Sequence, residues 1–101
     1  MNFGILVVDD DEEILGAIEK IVQSEERRVF TAQTLNEANL TFDEESVDLV
    51  ISDLVLPDGS GIDLLKKVKK INDDIPFVLV TGNSTVDTAV EALKSGATDY
   101  I

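Results

Sequence analysis

Apolar runs of strand length alternate with stretches of helical periodicity along the chain. The runs are short, rich in β-branched residues and apolar at nearly every position, which is typical of parallel strands buried on both faces. They cover Phe3–Val8, Val29–Ala32, Val47–Ile51, Phe77–Thr81 and Thr98–Ile101. We therefore predict five strands, of which the fifth is cut off by the end of the chain.

Four segments between these runs place apolar residues at helical spacing, so that each presents one stripe for docking on a sheet. The stripes are Ile14, Ile18, Ile21 and Val22; Leu35, Ala38 and Phe42; Leu64, Val68 and Ile71; and Val86, Ala89, Val90 and Leu93. Capping-box patterns or acidic relatives of them are Thr34 with Glu37, Ser60 with Asp63, and Ser84 with Asp87. Gly96 stands where a helix end favours a left-handed residue. This order predicts a doubly wound α/β fold, with right-handed crossovers, a parallel sheet and helices on both faces.

Composition narrows the chemistry that such a domain can perform. The 101 residues suit one small domain, and 8 basic against 21 acidic residues give a net charge of −13. That charge disfavours direct binding to nucleic acid or to an anionic membrane surface. Without cysteine or histidine, a metal has to be held by oxygen, which favours Mg²⁺. No apolar stretch is long enough for a signal peptide or a membrane span, so we expect a cytoplasmic protein.

Acidic residues follow the predicted strands where functional groups collect in a doubly wound sheet, at the carboxyl ends. Asp9–Asp11 follow the first strand, Asp53 follows the third, and Thr81 ends the fourth. If these strands are neighbours, the carboxylates repel one another, and a divalent cation held by oxygen removes that repulsion. Two plainer interpretations remain open here: Asp9–Asp11 cap the first helix, whose dipole favours acids, and Asp53 is a turn residue.

Three motifs together resemble the receiver domain of two-component response regulators. They are Ile5–Asp11, Asp53–Gly61 and Val80–Gly82. The stretch Asp87–Ile101 is similar to receivers of sigma-54-dependent transcriptional activators. The resemblance implies a flavodoxin-like fold with strand order 2-1-3-4-5, in which the last helix is missing. It also implies that residues 1–101 form one receiver domain, truncated after the start of the fifth strand.

The resemblance implies a phosphorylation site with bound Mg²⁺. Asp53 would accept the phosphoryl group, Asp10 would bind Mg²⁺ directly, and Asp9 would act mainly through a metal-bound water. The backbone carbonyl of Val55 would complete the protein ligands. Small Gly82 would leave the acceptor accessible.

A switch is implied as well. Thr81 would bind a phosphoryl oxygen, and Tyr100 would turn inward as Thr81 moves. The alternatives without a switching role are that Thr81 is an ordinary strand threonine and that Tyr100 is an ordinary strand aromatic. The resemblance further implies a sensor histidine kinase as phosphodonor and an output domain beyond residue 101. The chain would be a signalling switch and not a metabolic enzyme. Without the last helix, apolar side chains on one face of the sheet lose their cover, and a homodimer is one way to cover them.

One departure concerns a lysine that receivers place just past the fifth strand. The chain stops at Ile101, two residues short of that position, and Lys66, Lys67, Lys69 and Lys70 belong to the third helix, as its solvated face. A scaffold or interaction fragment of receiver fold is therefore one alternative. An aspartyl-nucleophile, Mg²⁺-dependent phosphohydrolase is a second, although Glu13 occupies a position where that family has Thr or Val. A flavodoxin-like cofactor binder is a third, but three acids replace its phosphate loop.

Overall fold

A computed structural model describes residues 3–81 and 86–101 of the chain. Its elements, in order, are β1 (Phe3–Val8), α1 (Glu12–Val22), β2 (Arg27–Ala32), α2 (Leu35–Glu44), β3 (Leu49–Asp53), β4 (Val55–Leu56), β5 (Gly59–Ser60), α3 (Gly61–Ile71), β6 (Phe77–Val80), α4 (Val86–Lys94) and β7 (Asp99–Tyr100). Five strands form a parallel sheet in the order β2-β1-β3-β6-β7. The predicted order 2-1-3-4-5 is confirmed, because β4 and β5 form a separate antiparallel hairpin between the third and fourth sheet strands.

The strand bounds differ from the predicted ones by up to two residues. β2 begins at Arg27 and not at Val29, since Arg27 and Arg28 pair with Phe3 and Gly4 of β1. β2 is an edge strand, and its backbone pairing with β1 extends to two exposed arginines. An apolar pattern cannot detect these two residues. The prediction also missed the hairpin, whose two strands have only two residues each.

Helices cover the two faces of the sheet unequally. One face packs against α2, α3 and α4, and its core includes Leu6, Val50, Phe77 and Leu79. The other face packs against α1, with Ile5, Val7 and Leu15 fully or nearly buried. The described residues contain four helices, and none follows β7, in agreement with the expectation that this chain lacks the last helix of the fold.

Two predicted apolar stripes are shifted in the structure. In α1 the residue buried against the sheet is Leu15, with Ile18 and Val22 packed beside it, whereas Ile14 and Ile21 are exposed. The correct stripe has the spacing i, i+3, i+7, which fits a helical turn as well as the predicted one. Likewise, α3 buries Leu64, Leu65 and Val68 and exposes Ile71. The stripe Leu35, Ala38 and Phe42 of α2 is confirmed, with Ala38 and Phe42 buried and Leu35 packed against the core.

The stripe predicted for α4 is only partly buried. Ala89 is half-buried, Val90 and Leu93 are exposed, and the side chain of Val86 lies outside the described part of the chain. Ala92, which the predicted stripe does not include, is fully buried. None of the helices in residues 3–81 and 86–101 is both long and apolar enough to cross a bilayer.

The predicted helix caps form where they can be observed. Ser60 and Asp63 make a full capping box at the start of α3. Thr34 accepts the N–H of Glu37, while the Glu37 carboxylate accepts the N–H of Gln33 and not that of Thr34. The predicted cap at Ser84 lies outside the described residues.

Gly96 ends α4 as the sequence predicts. Its φ of 101° lies in the region that L side chains rarely adopt. The N–H of Gly96 donates to the carbonyl of Leu93 at 3.1 Å, and that of Ala97 donates to the carbonyl of Ala92 at 3.0 Å. This pair of bonds is a Schellman motif, which satisfies carbonyls at the helix end and directs the chain into β7.

Candidate functional site

The three acids after β1 divide their roles. Asp11 is the N-cap of α1, and its Oδ1 accepts the N–H groups of Glu13 at 2.9 Å and Ile14 at 3.4 Å. The capping interpretation is therefore confirmed for Asp11. Because Asp11 supplies the side chain that caps α1, the carboxylates of Asp9 and Asp10 can serve another role.

Asp9 is a buried carboxylate, with only 4% of the residue exposed. Burial raises the pKa of Asp9, and the nearby carboxylates of Asp53, Asp10 and Asp11 raise it further. The N–H of Asp11 opposes these effects by donating to Asp9 Oδ1 at 2.9 Å. Since the fold places this acid where its charge is disfavoured, a cation nearby would stabilise it.

Asp53 is the last residue of β3 and is half-buried. Burial raises the pKa of Asp53, and the charge of Asp10 adds to the rise. The backbone N–H groups of Val55 and Leu54 act in the opposite sense, and the N–H of Val55 donates to Asp53 Oδ1 at 3.4 Å. This bond keeps the backbone of Val55, in β4, next to the Asp53 carboxylate.

Carboxylate oxygens of Asp9, Asp10 and Asp53 all lie within 4.8 Å of one another. An octahedral Mg²⁺ with bonds of about 2.0–2.1 Å separates its ligand oxygens by roughly 3–4 Å. A cluster of carboxylate oxygens, without nitrogen or sulfur ligands, fits a hard divalent cation. The structure thus brings together the three side chains that the sequence predicts as a metal site.

A buried serine and a glycine support the backbone behind Asp53. Ser52 is completely buried, and its hydroxyl donates to the carbonyl of Asp53 at 2.9 Å. Gly61 begins α3 directly against this strand end, with its N–H donating to the carbonyl of Leu54 at 2.8 Å. Sequence reasoning missed Ser52, because one serine inside an apolar run reads as an ordinary strand residue.

Thr81 directly follows β6, and Tyr100 is the last residue of β7. Asp53 pairs with Val80, so Thr81 stands one residue past the partner of Asp53, at the same edge of the sheet. Thr81 is half-buried, and its N–H donates to the carbonyl of Ile101 at 2.8 Å. Tyr100 is half-buried as well, with its hydroxyl 2.9 Å from Thr88 Oγ1 on α4. Gly82 lies outside the described residues.

Residues 5–101 match the response regulator receiver domain family. The chain belongs to this family. The phosphohydrolase and flavodoxin-like alternatives are therefore set aside. A relative, the transcriptional regulatory protein ZraR of Klebsiella oxytoca, is 41% identical over 97 residues, which are 96% of this chain and 22% of ZraR. ZraR is a sigma-54-dependent activator, which confirms the predicted likeness.

Two solved receiver structures are similar to the whole domain. A CheY-like receiver domain protein from Methanospirillum hungatei has a TM-score of 0.93 and 34% identity, over 100% of this chain and 81% of its own. A response regulator from Burkholderia pseudomallei has a TM-score of 0.88 and 28% identity, over 98% of this chain and 58% of its own. That structure contains a phosphorylated aspartic acid, a calcium ion and citrate.

Repulsion and burial at the acid cluster predict a stability that depends on pH. The folded-state pKa values of Asp9 and Asp53 lie above 3.8, so the folded protein holds these protons more tightly than the unfolded chain does. In EDTA, we expect their contribution to stability to be complete below pH 3.8 and to be lost as pH rises through the raised values. Urea unfolding of the wild type and of Asp9→Asn across this pH range measures the contribution. The free energy of unfolding of the wild type should fall more steeply with pH than that of Asp9→Asn. Parallel curves would contradict the assignment.

Proposed function

We propose that this receiver accepts a phosphoryl group on Asp53, with Mg²⁺ bound beside it, and changes conformation to control an output. The observation that carries the proposal is the convergence of Asp9, Asp10 and Asp53 at one edge of the sheet. The phosphorylated aspartic acid of the B. pseudomallei regulator supports it by similarity. The phosphodonor is the phosphohistidine of a sensor kinase.

The transfer itself needs a correctly oriented carboxylate. An Asp53 oxygen attacks phosphorus, the bond between phosphorus and the histidine nitrogen breaks, and a mixed anhydride forms. The N–H of Val55 and the bond from Ser52 to the Asp53 carbonyl hold the acceptor in place. Asp10, the Asp53 carboxylate and the Val55 carbonyl would bind Mg²⁺ directly, with Asp9 acting through water. The ion supplies charge neutralisation for the transferring oxygens.

Switching follows from the two residues beyond the acceptor strand. The hydroxyl of Thr81 donates to a phosphoryl oxygen after transfer. Tyr100 then turns inward and gives up its contact with Thr88. Because Tyr100 and Thr88 join β7 to α4, this movement alters the α4 surface, where Val90 and Leu93 are exposed. An output domain beyond residue 101 reads that change, and a homodimer through apolar surface stays a prediction.

Phosphorylation by a small phosphodonor tests the proposal. The protein, with the residues that its gene encodes after Ile101, is incubated with acetyl phosphate and Mg²⁺. Intact-mass spectrometry should show one added phosphoryl group in the wild type and none in Asp53→Asn. The matched control is Asp48→Asn, an aspartate at the opposite end of the sheet, which should be phosphorylated like the wild type. An unmodified wild type would favour the scaffold alternative, and a phosphorylated Asp53→Asn would place the acceptor elsewhere.

A further inference from the structure

The first turn of α2 is capped from a distant loop. Asp58 lies between β4 and β5, and its two carboxylate oxygens accept consecutive backbone N–H groups of α2. Oδ1 accepts from Leu35 at 2.7 Å, and Oδ2 accepts from Asn36 at 2.9 Å. Thr34 accepts the next N–H, that of Glu37, at 3.0 Å. The first three N–H groups of the helix are therefore satisfied, two of them by a residue more than twenty positions away.

The segment just before α2 bonds to the start of α1, the helix that follows Asp9 and Asp10. Gln33, just before the helix, donates from its side-chain amide to Glu12 Oε1 at 3.3 Å. Glu12 begins α1 immediately after the acidic loop. The segment before α2 thus bonds to the start of α1, and the first turn of α2 bonds to the loop that follows Asp53.

The loop after Asp53 is a short hairpin that depends on contacts with the rest of the domain. Its two strands have two residues each, and so short a hairpin is marginal alone. Leu54 and Leu56 are its buried side chains, and the carbonyl of Leu54 accepts the N–H of Gly61, whereas Val55, Asp58 and Gly59 are exposed. Its backbone packs tightly on α2, since a Cβ built on Gly59 would lie 2.5 Å from Leu35 Cδ2. Asp58 is therefore the side chain that bonds the exposed tip of the loop to α2.

We propose that Asp58 is a positioning residue, which fixes the loop of Val55 on α2 and thereby holds the Val55 carbonyl, the metal ligand of this loop, in place beside the acid cluster. The inference rests on the proposed function, since it assumes that Mg²⁺ binds at the acid cluster. Asp58 acts through the backbone and touches neither the metal nor the phosphoryl group.

A second consequence follows because coupling between two sites is reciprocal. If Asp58 bonding favours Mg²⁺ binding, then Mg²⁺ binding favours the bonded state of Asp58 by the same factor. The amide hydrogens of Leu35 and Asn36 should then exchange more slowly with solvent when Mg²⁺ is present. A cap that serves only the stability of α2 predicts no more slowing for these two amides than global stabilisation by Mg²⁺ gives to amides elsewhere in the domain.

The experiment compares Asp58→Asn with Asp48→Asn in the protein with all residues that its gene encodes. Asp48 is the matched control, because its Oδ2 accepts one backbone N–H, that of Gly4, at 2.7 Å, and its replacement removes the same charge. Mg²⁺ affinity is measured by calorimetric titration at a temperature where both variants are folded. It is repeated in about 0.5 M KCl, where screening removes most of the effect of the lost charge alone.

We expect Asp58→Asn to weaken Mg²⁺ binding about tenfold at both salt concentrations, the low end for partners that orient metal ligands. Asp48→Asn should bind Mg²⁺ like the wild type, and Mg²⁺-dependent protection of Leu35 and Asn36 should vanish in Asp58→Asn. Wild-type affinity in Asp58→Asn, an equal loss in both variants, or a loss that high salt abolishes would overturn the inference alone. A wild-type protein that does not bind Mg²⁺ would overturn the proposed function with it.

Discussion

Gly61→Ala is expected to lower the free energy of unfolding by about 2–3 kcal/mol, a large part of the roughly 5–15 kcal/mol typical of a domain. A Cβ at this position would overlap the backbone carbonyl of Asp53. It would also lie 2.9 Å from Leu79 Cδ2 and 3.1 Å from Ser52 Oγ. The helix cannot simply move away, because the N–H of Gly61 is bonded to the carbonyl of Leu54.

Gly16→Ala provides the opposite control. Gly16 lies inside α1, and a Cβ there would meet nothing within 4 Å. Alanine should therefore raise stability by about 0.5–1 kcal/mol, through helix propensity alone. Urea unfolding monitored by circular dichroism measures both variants. If Gly61→Ala is as stable as the wild type, the close approach of α3 to the acceptor strand is wrong.

Saturating Mg²⁺ is expected to raise the melting temperature of the wild type, since under the proposed function the ion binds the folded acid cluster and not the unfolded chain. At ten times the dissociation constant, the gain is about 1.4 kcal/mol, or roughly 5–10 °C for a domain of this size. Asp10→Asn should lose most of this gain. Without metal, the same variant should melt higher than the wild type, because Asp10 raises the pKa of both Asp9 and Asp53 by repulsion.

Asp74→Asn is the control for the change in net charge. Asp74 is exposed and lies before β6, at the amino ends of the strands, whereas the acid cluster lies at their carboxyl ends. Scanning calorimetry in EDTA and in Mg²⁺ gives the four comparisons. Equal responses to Mg²⁺ in the wild type and Asp10→Asn would exclude Asp10 as a ligand, whereas a lost response in Asp74→Asn would point to a general effect of charge.

The sheet and the acid cluster could be predicted because each depends on local sequence and on one topological rule. Apolar runs locate the strands, and parallel strand order brings Asp9, Asp10 and Asp53 to one edge. Helix faces were less certain, as α1 shows: Ile14 and Leu15 are adjacent apolar residues, and only packing decides that Leu15 is buried.

The hairpin after Asp53 and its attachment to α2 could not be predicted. Pro57, Asp58 and Gly59 indicate a turn, but a turn residue carries no information about a partner more than twenty positions away. The same holds for Ser52, whose hydroxyl matters because Asp53 turns its carbonyl toward it. Both contacts arise from tertiary structure, and both support the backbone around Asp53 without touching its carboxylate.

Tyr100 gives this protein an intrinsic optical reporter. The sequence contains 1 tyrosine and no tryptophan, so its tyrosine fluorescence comes from a single site. The hydroxyl of that tyrosine lies 2.9 Å from Thr88 Oγ1, in a half-buried position between β7 and α4. Any event at the acid cluster that moves Tyr100 therefore changes the emission of the unlabelled chain. Stopped-flow fluorescence could follow such movement in real time without an added dye or an engineered tryptophan.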